Sequence, residues 1–254
     1  MTAITTTRAG RIRFGRTGRA LRVFWGMSNL VMSVVVAQAV NGLIADRVAK
    51  GVFEPSHDFM YFTIQVSVAS AIVFALGAYI GLFHRVDPYW YSVLRASLVP
   101  WALVTAAVYN LLLRQTPMGG TLWEMMNRPN ELVHLWIPLF IAVEWLLQPG
   151  RARLTLRVIA LSTAYPWAYI IACMIRGGVD GWYPYPFLAP DGPLGWTGPI
   201  EFMLAATLFI VIVSLTTVFI SRVIRHVIPL HETVGVEPST TTQVIPIVET
   251  VRAL

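Results

Sequence analysis

The segment FMLAATLFIVIVSL, residues 202–215, decides the fold. It carries no charged side chain, whereas a water-exposed helix of that length needs a polar face. Strands of a membrane barrel alternate apolar and polar residues with period two, and this run shows no such alternation. It reads as part of a transmembrane helix, which needs about 20 mostly apolar residues to cross the hydrocarbon core. Five further segments of the same character precede it. The predicted spans cover 22–45, 60–83, 91–113, 131–148, 154–176 and 199–222. The fourth is the shortest, WIPLFIAVEWLL (136–147) with a polar lead at Asn130 and Glu131. It reaches across only if Glu131 and His134 lie near the membrane surface or inside the bundle. The expected fold class is all-α, a polytopic bundle of six transmembrane helices.

Composition agrees with that reading. Of 254 residues, 56% are hydrophobic and 13% charged, with mean hydropathy +0.63. A soluble domain carries about 25% charged residues because its surface must be solvated. Most of this surface therefore faces something other than water. The net charge of +6 comes from basic residues beside apolar segments, not from a solvated face interleaved with aromatics. Anionic lipid headgroups, not nucleic acid, are the expected counter-charge. Cys173 is the single cysteine and lies in an apolar run, which excludes an intramolecular disulfide framework and any CxxC motif.

Orientation follows from the arginines, because Lys and Arg are retained on the cytoplasmic side. With the N-terminus inside, that side collects fourteen: Arg8, Arg11, Arg13, Arg16, Arg19, Arg22, Arg85, Arg95, Arg151, Arg153, Arg157, Arg222, Arg225 and Arg252. The opposite loops hold five: Arg47, Lys50, Arg114, Arg128 and Arg176. The expectation is N-in, C-in, as a multi-pass protein of the cell membrane. A basic segment (1–20) and a tail (229–254), both expected to be poorly ordered, flank a transmembrane domain (21–228). The basic lead and Ala37-Gln38-Ala39 also resemble a cleavable signal peptide, but the apolar run continues to Ile44, long enough to span. No internal repeat is visible.

Polar groups in a bilayer must find partners, so their positions point to cavities or packing contacts. In this orientation they gather on the extracytoplasmic side: Asn41, Thr63, Gln65, Asn110, Asn130, Glu131 and His134. The loop GGVDGWYPYPFLAPDGPLGW (177–196) adds Tyr183 and Tyr185, and its aromatic, proline-stiffened core suits an interfacial lid or a plain membrane anchor. Asn41, Gln65, Asn110, Asn130, Glu131, Tyr183 and Tyr185 are the candidate substrate-binding residues. His134 lies about one turn into its helix, four residues after Asn130 and three after Glu131, so it can share a face with both. A neutral imidazole there can accept a proton, or it can simply bond across helices. Thr63 at the outer start of the second helix is open to two readings. Its hydroxyl can bond back to its own helix, or it can act as a nucleophile if a base lies within reach. Haem ligation would want a second histidine at similar depth, and no HExxH spacing occurs, so no metal or cofactor is expected. Glu144 lies about 15 Å along the axis from His134. Its expected partner is Arg151, Arg153 or an arginine of another helix.

Three motifs carry a resemblance. YFTIQ (61–65), NELVHLWIP (130–138) and WYPYPF (182–187) resemble bacterial six-helix relatives of the androgen-induced-gene family. That family includes the androgen-dependent tissue-factor-pathway-inhibitor regulating protein, and the likeness covers about 20–225. It implies membrane hydrolases that split fatty acid esters of hydroxy fatty acids with an intramembrane threonine and a histidine. Carried over by motif, these fall on Thr63 and His134. The implied chemistry is attack by Thr63 Oγ1 on a lipid ester, with His134 relaying the proton and Asn130, Asn110 or backbone N–H groups steadying the oxyanion. Two readings stand beside it: a non-catalytic lipid- or small-molecule-binding membrane protein, and a subunit of a larger membrane assembly.

Overall fold

The computed structural model describes residues 12–14, 16–114, 121, 124, 128–192, 194–227 and 231–233. Six of its helices are long and apolar enough to cross a membrane, so the chain is an all-α, multi-pass bundle. They are α1 (Arg16–Ala49), α2 (Phe62–Phe83), α3 (Tyr89–Val108), α4 (Pro129–Leu147), α5 (Arg157–Asp180) and α6 (Thr197–Val227). A π-turn, Tyr109–Leu113, prolongs α3. Ile12–Phe14 pairs antiparallel with His231–Thr233, which brings the two ends to one face, as an even number of spans requires. The expectation for the ends, 1–20 and 229–254, falls mostly outside the described residues.

The helices extend beyond the predicted spans where polar side chains hold their ends. α1 starts six residues early, because Arg19 donates to Leu82 O (2.5 Å) and so keeps its turn against α2. α5 runs on to Asp180, which receives Arg176 Nε one turn away at 3.0 Å. α6 shows what faces the lipid: Ile200, Leu204, Leu208, Ile212, Leu215, Phe219 and Val223 recur every three or four residues and are all exposed. α3 is the opposite case. It packs against α2, α4, α5 and α6, and Ala96, Leu98, Val99 and Ala102 are buried in its core face.

Prolines within the spans stitch helices together. Proline has no N–H, so the carbonyl four residues earlier loses its helical donor. In hydrocarbon that oxygen must find another. Pro166 frees Ser162 O, which accepts Trp101 Nε1 from α3 at 2.7 Å. Pro138 frees His134 O, which accepts Asn110 Nδ2 at 3.2 Å.

At the arginine-rich face, four charges lie inside the bundle, each at most 4% exposed: Arg22, Asp87, Arg95 and Glu144. Asp87 takes Arg22 at 3.0 Å and Arg95 at 2.7 Å, and Arg95 also meets Glu144 at 2.8 Å. Glu144 thus pairs with an arginine of another helix, and Arg151 instead donates to Leu146 O and Gln148 O. Arg22 further donates to Pro149 O (2.8 Å), beside Gly150 at φ 98°. A side chain at Gly150 would collide with the guanidinium and strain the backbone.

On the opposite face, four of the five basic residues are neutralised. Arg47 pairs with Asp58, Lys50 with Asp46 (2.6 Å), Arg114 with Glu131 (2.7 Å) and Arg176 with Asp180 (3.0 Å). The charge asymmetry between the faces is therefore sharper than the arginine count alone indicates.

Candidate functional site

Two local features bring the key side chains together. α2 starts after Tyr61, whose side chain does not cap it, so the first-turn N–H groups are open to other partners. Thr63 is its second residue. α4 winds as a π-turn over Leu132–Trp136, with Ile137 N–H reaching Leu132 O. Such single turns widen the helix locally and recur at functional sites. The π-turn of α3 faces it, and Tyr109 stacks on His134 with ring centres 3.9 Å apart and planes at 18°.

Thr63 Oγ1 lies 3.1 Å from His134 Nε2, and both residues are buried. The other ring nitrogen, Nδ1, is 2.9 Å from Asn130 O. A carbonyl only accepts, so Nδ1 carries the proton of the neutral ring and Nε2 is left as an acceptor. The Thr63 hydroxyl therefore donates to Nε2. That is the arrangement of a hydroxyl nucleophile and its base, with the base oriented by a third group.

Tyr185 completes the cluster. Its phenol is in hydrogen-bonding reach of the Thr63 side chain and of the Phe62 and Thr63 backbone N–H groups. Burial pushes the phenol up from 10.0 to about 12, with those bonds to Thr63 and Phe62 opposing the rise. The phenol stays protonated at neutral pH, beside the Thr63 side chain and the first N–H groups of α2. Its loop is fixed from both sides. Gly181 ends α5 in the left-handed conformation (φ 75°), Trp182 stacks on His57 at 4.1 Å, and Phe187 stacks on Phe202 at 4.0 Å.

Beside this cluster lies a cavity between α3, α5 and α6, enclosing about 550 Å³ with its mouth included. Thr63, His134 and Tyr185 are in its wall, and most of the rest is apolar, including Val104, Val108, Ile170, Ala206 and Ile210. Along α6 the walls run from Phe202 to Ile210, a depth of about 12 Å at 1.5 Å per residue.

Of the seven expected substrate-binding residues, only Tyr185 lines the cavity. Asn41 is exposed, because the buried face of α1 runs through Val36, Ala39 and Val40 and one further residue turns the chain about 100° away. Gln65 donates to Phe59 O (3.0 Å) and accepts Tyr165 Oη (2.7 Å), tying a loop to α5. Glu131 is fully engaged in a two-pronged pair with Arg114, at 2.7 and 2.8 Å. Tyr183 covers Gly177, where any Cβ would meet its ring. Asn110 and Asn130 act one step back from the cavity. Asn110 holds His134 O and accepts Arg114 Nε at 2.9 Å, while the Asn130 side chain donates to Tyr109 Oη. The apolar walls and Arg114 escaped the sequence reading. The spacing Asn110 to Arg114, one helical turn, was the available signal for the arginine.

Among the described residues, no group of three or more His, Cys, Asp or Glu side chains is placed to hold a metal ion. No family model, curated protein or solved structure matches the chain, so the resemblance of its three motifs stands on those residues alone.

Proposed function

We propose that the protein is an intramembrane hydrolase of lipid esters, with Thr63 as nucleophile and His134 as general base. The observation that carries this reading is the 3.1 Å contact between Thr63 Oγ1 and a bare His134 Nε2, in the wall of an apolar cavity. In the first half-reaction Thr63 Oγ1 attacks the acyl carbonyl carbon while its proton passes to Nε2. The resulting oxyanion forms beside the start of α2, where the Phe62 and Thr63 N–H groups turn to it from Tyr185 Oη and the Tyr185 hydroxyl is a further donor. Donors at a helix N-terminus suit a developing negative charge, and a single such donor is worth about 3–4 kcal/mol. Collapse breaks the ester C–O bond, and the departing alcohol takes the proton from Nε2. Water then attacks the acyl-threonine, giving its proton to Nε2. Collapse releases the fatty acid and returns that proton to Thr63 Oγ1.

The arginine asymmetry supports an N-in, C-in orientation in the cell membrane, with the cavity on the extracytoplasmic side. The ester would enter from the lipid, and anionic headgroups would meet the basic face. A fluorophosphonate probe tests the proposal on the purified full chain. The expected result is labelling at Thr63 that is lost in Thr63→Ala and His134→Ala. An unlabelled wild type, or equal labelling of Thr63→Ala, removes the nucleophile. Fatty acyl binding without release of acid would then identify a lipid-binding protein.

A further inference from the structure

We infer that this site takes an ester of medium acyl chain length whose alcohol carries no charge, and that Ala206 and Ile210 of α6 set the chain length. The inference rests on the hydrolase reading above. Among the described residues, the seventeen that line the cavity include no Asp, Glu, Lys or Arg. The cation next to the wall is Arg114, which follows the lining residue Leu113. It is already consumed: both terminal nitrogens go to Glu131, and Nε goes to Asn110. Arg176 at the same face is equally engaged, by Asp180 and Ser56 O. Arg128, the remaining cation of this face, is exposed and not part of the lining. A carboxylate or phosphate beside the reacting bond would therefore be taken out of water with no counter-charge in the wall, at a cost of several kcal/mol. A neutral alcohol has no such penalty.

Chain length follows from depth. A full-length membrane acyl chain fills half of the ~30 Å hydrocarbon core. The lining ends about 12 Å down α6, at Ile210, with Val104 of α3 and Pro166 of α5 as the deepest lining residues of their helices, all three buried. Ala206 lies one turn from both Phe202 and Ile210 on the same helical face, and its small side chain forms the recess between two large ones. Filling that recess shortens the groove, and trimming Ile210 lengthens it.

The test uses the purified full chain in lipid nanodiscs with p-nitrophenyl esters from acetate to palmitate. A matched pair of octanoate esters is added, whose alcohols differ only in a carboxylate. The expected optimum lies between hexanoate and decanoate, with the neutral member of the pair preferred about tenfold or more. Ala206→Phe lowers the octanoate-to-acetate rate ratio about tenfold or more, and Ile210→Ala moves the optimum to longer chains. The second variant decides the matter if the first does not fold. A flat profile, a palmitate optimum, preference for the carboxylate-bearing ester, or an unmoved optimum in Ile210→Ala overturns the inference. If Thr63 is still labelled by fluorophosphonate in that case, the hydrolase reading survives; if Thr63 is unlabelled, both fall together.

Discussion

At the arginine-rich end of the bundle, Arg22, Asp87, Arg95 and Glu144 are packed from several helices, with no room for a water beside Arg95 and Glu144. At the other end, Thr63, His134 and Tyr185 are joined by neutral hydrogen bonds and border an open cavity. Both clusters are buried polar groups in a membrane protein, where such residues mark function by default. Their surroundings separate them. The charged cluster answers each charge with an opposite one and is tightly packed around Arg95 and Glu144, so its work is to hold α1, α3 and α4 in register. The neutral cluster leaves an acceptor nitrogen facing a hydroxyl, with space for a third molecule. Void beside the reactive atoms, not polarity alone, distinguishes the candidate site.

Substitutions at the two ends should therefore fail in different ways. The largest effect is expected at Thr63 and His134. Either alanine variant should lower ester hydrolysis by about 10²–10⁴-fold, while the thermal midpoint moves little. Next comes the ionic cluster. Asp87→Ala leaves two buried arginines without their shared carboxylate, and breaking such a pair costs about 3–5 kcal/mol. Its midpoint should drop steeply, while activity per folded molecule stays near wild type. If Thr63→Ala unfolds the protein as readily as Asp87→Ala, the outer pair is structural too.

A smaller effect sharpens the boundary of the site. Asn110 donates to the carbonyl that Pro138 leaves open at His134. Asn110→Leu should cost about 1–3 kcal/mol, the penalty of an unsatisfied buried acceptor. In a Pro138→Ala background the restored N–H can serve that oxygen, so the same substitution should cost less. Thermal midpoints of the two single variants and the double variant measure the coupling. Additive losses would show that Asn110 acts through Arg114 and not through the His134 backbone.

Much of this was legible in the residues. Long, mostly apolar runs pointed to six helices, because in hydrocarbon a helix satisfies its own backbone. The depth of His134 and Thr63 followed from their distance to the span ends, and the YFTIQ and NELVHLWIP motifs singled them out. Other parts were not legible. Polarity on the outer side selected Asn41, Gln65 and Glu131, yet a polar residue in a bundle is as often paired away as presented to a ligand. Glu131 illustrates this, since its partner Arg114 lies seventeen positions earlier and reaches it only through the packing of α3 on α4. The apolar walls, such as Ala206 and Ile210, could not be told from lipid-facing neighbours like Leu204 and Leu208. Which face of α6 turns inward is set by contacts with α3 and α5, not by hydropathy.

Tyr185 yields the smallest and most specific expectation. Its phenol is raised from 10.0 to about 12 in the folded protein, mainly by burial. Between those values the unfolded chain has lost a proton that the folded chain keeps. Stability present below pH 10 is therefore lost as pH rises through that window. Tyr185→Phe has no proton to lose, so its midpoint should fall less steeply between pH 10 and 12, with both proteins alike in pH dependence below pH 9. Melting curves across that range make the comparison. The same variant loses one of the donors aimed at the oxyanion but keeps the Phe62 and Thr63 N–H groups, so hydrolysis at pH 8 should fall without vanishing. An unchanged rate would leave Tyr185 as a lid over the cavity and give the oxyanion to the start of α2 alone.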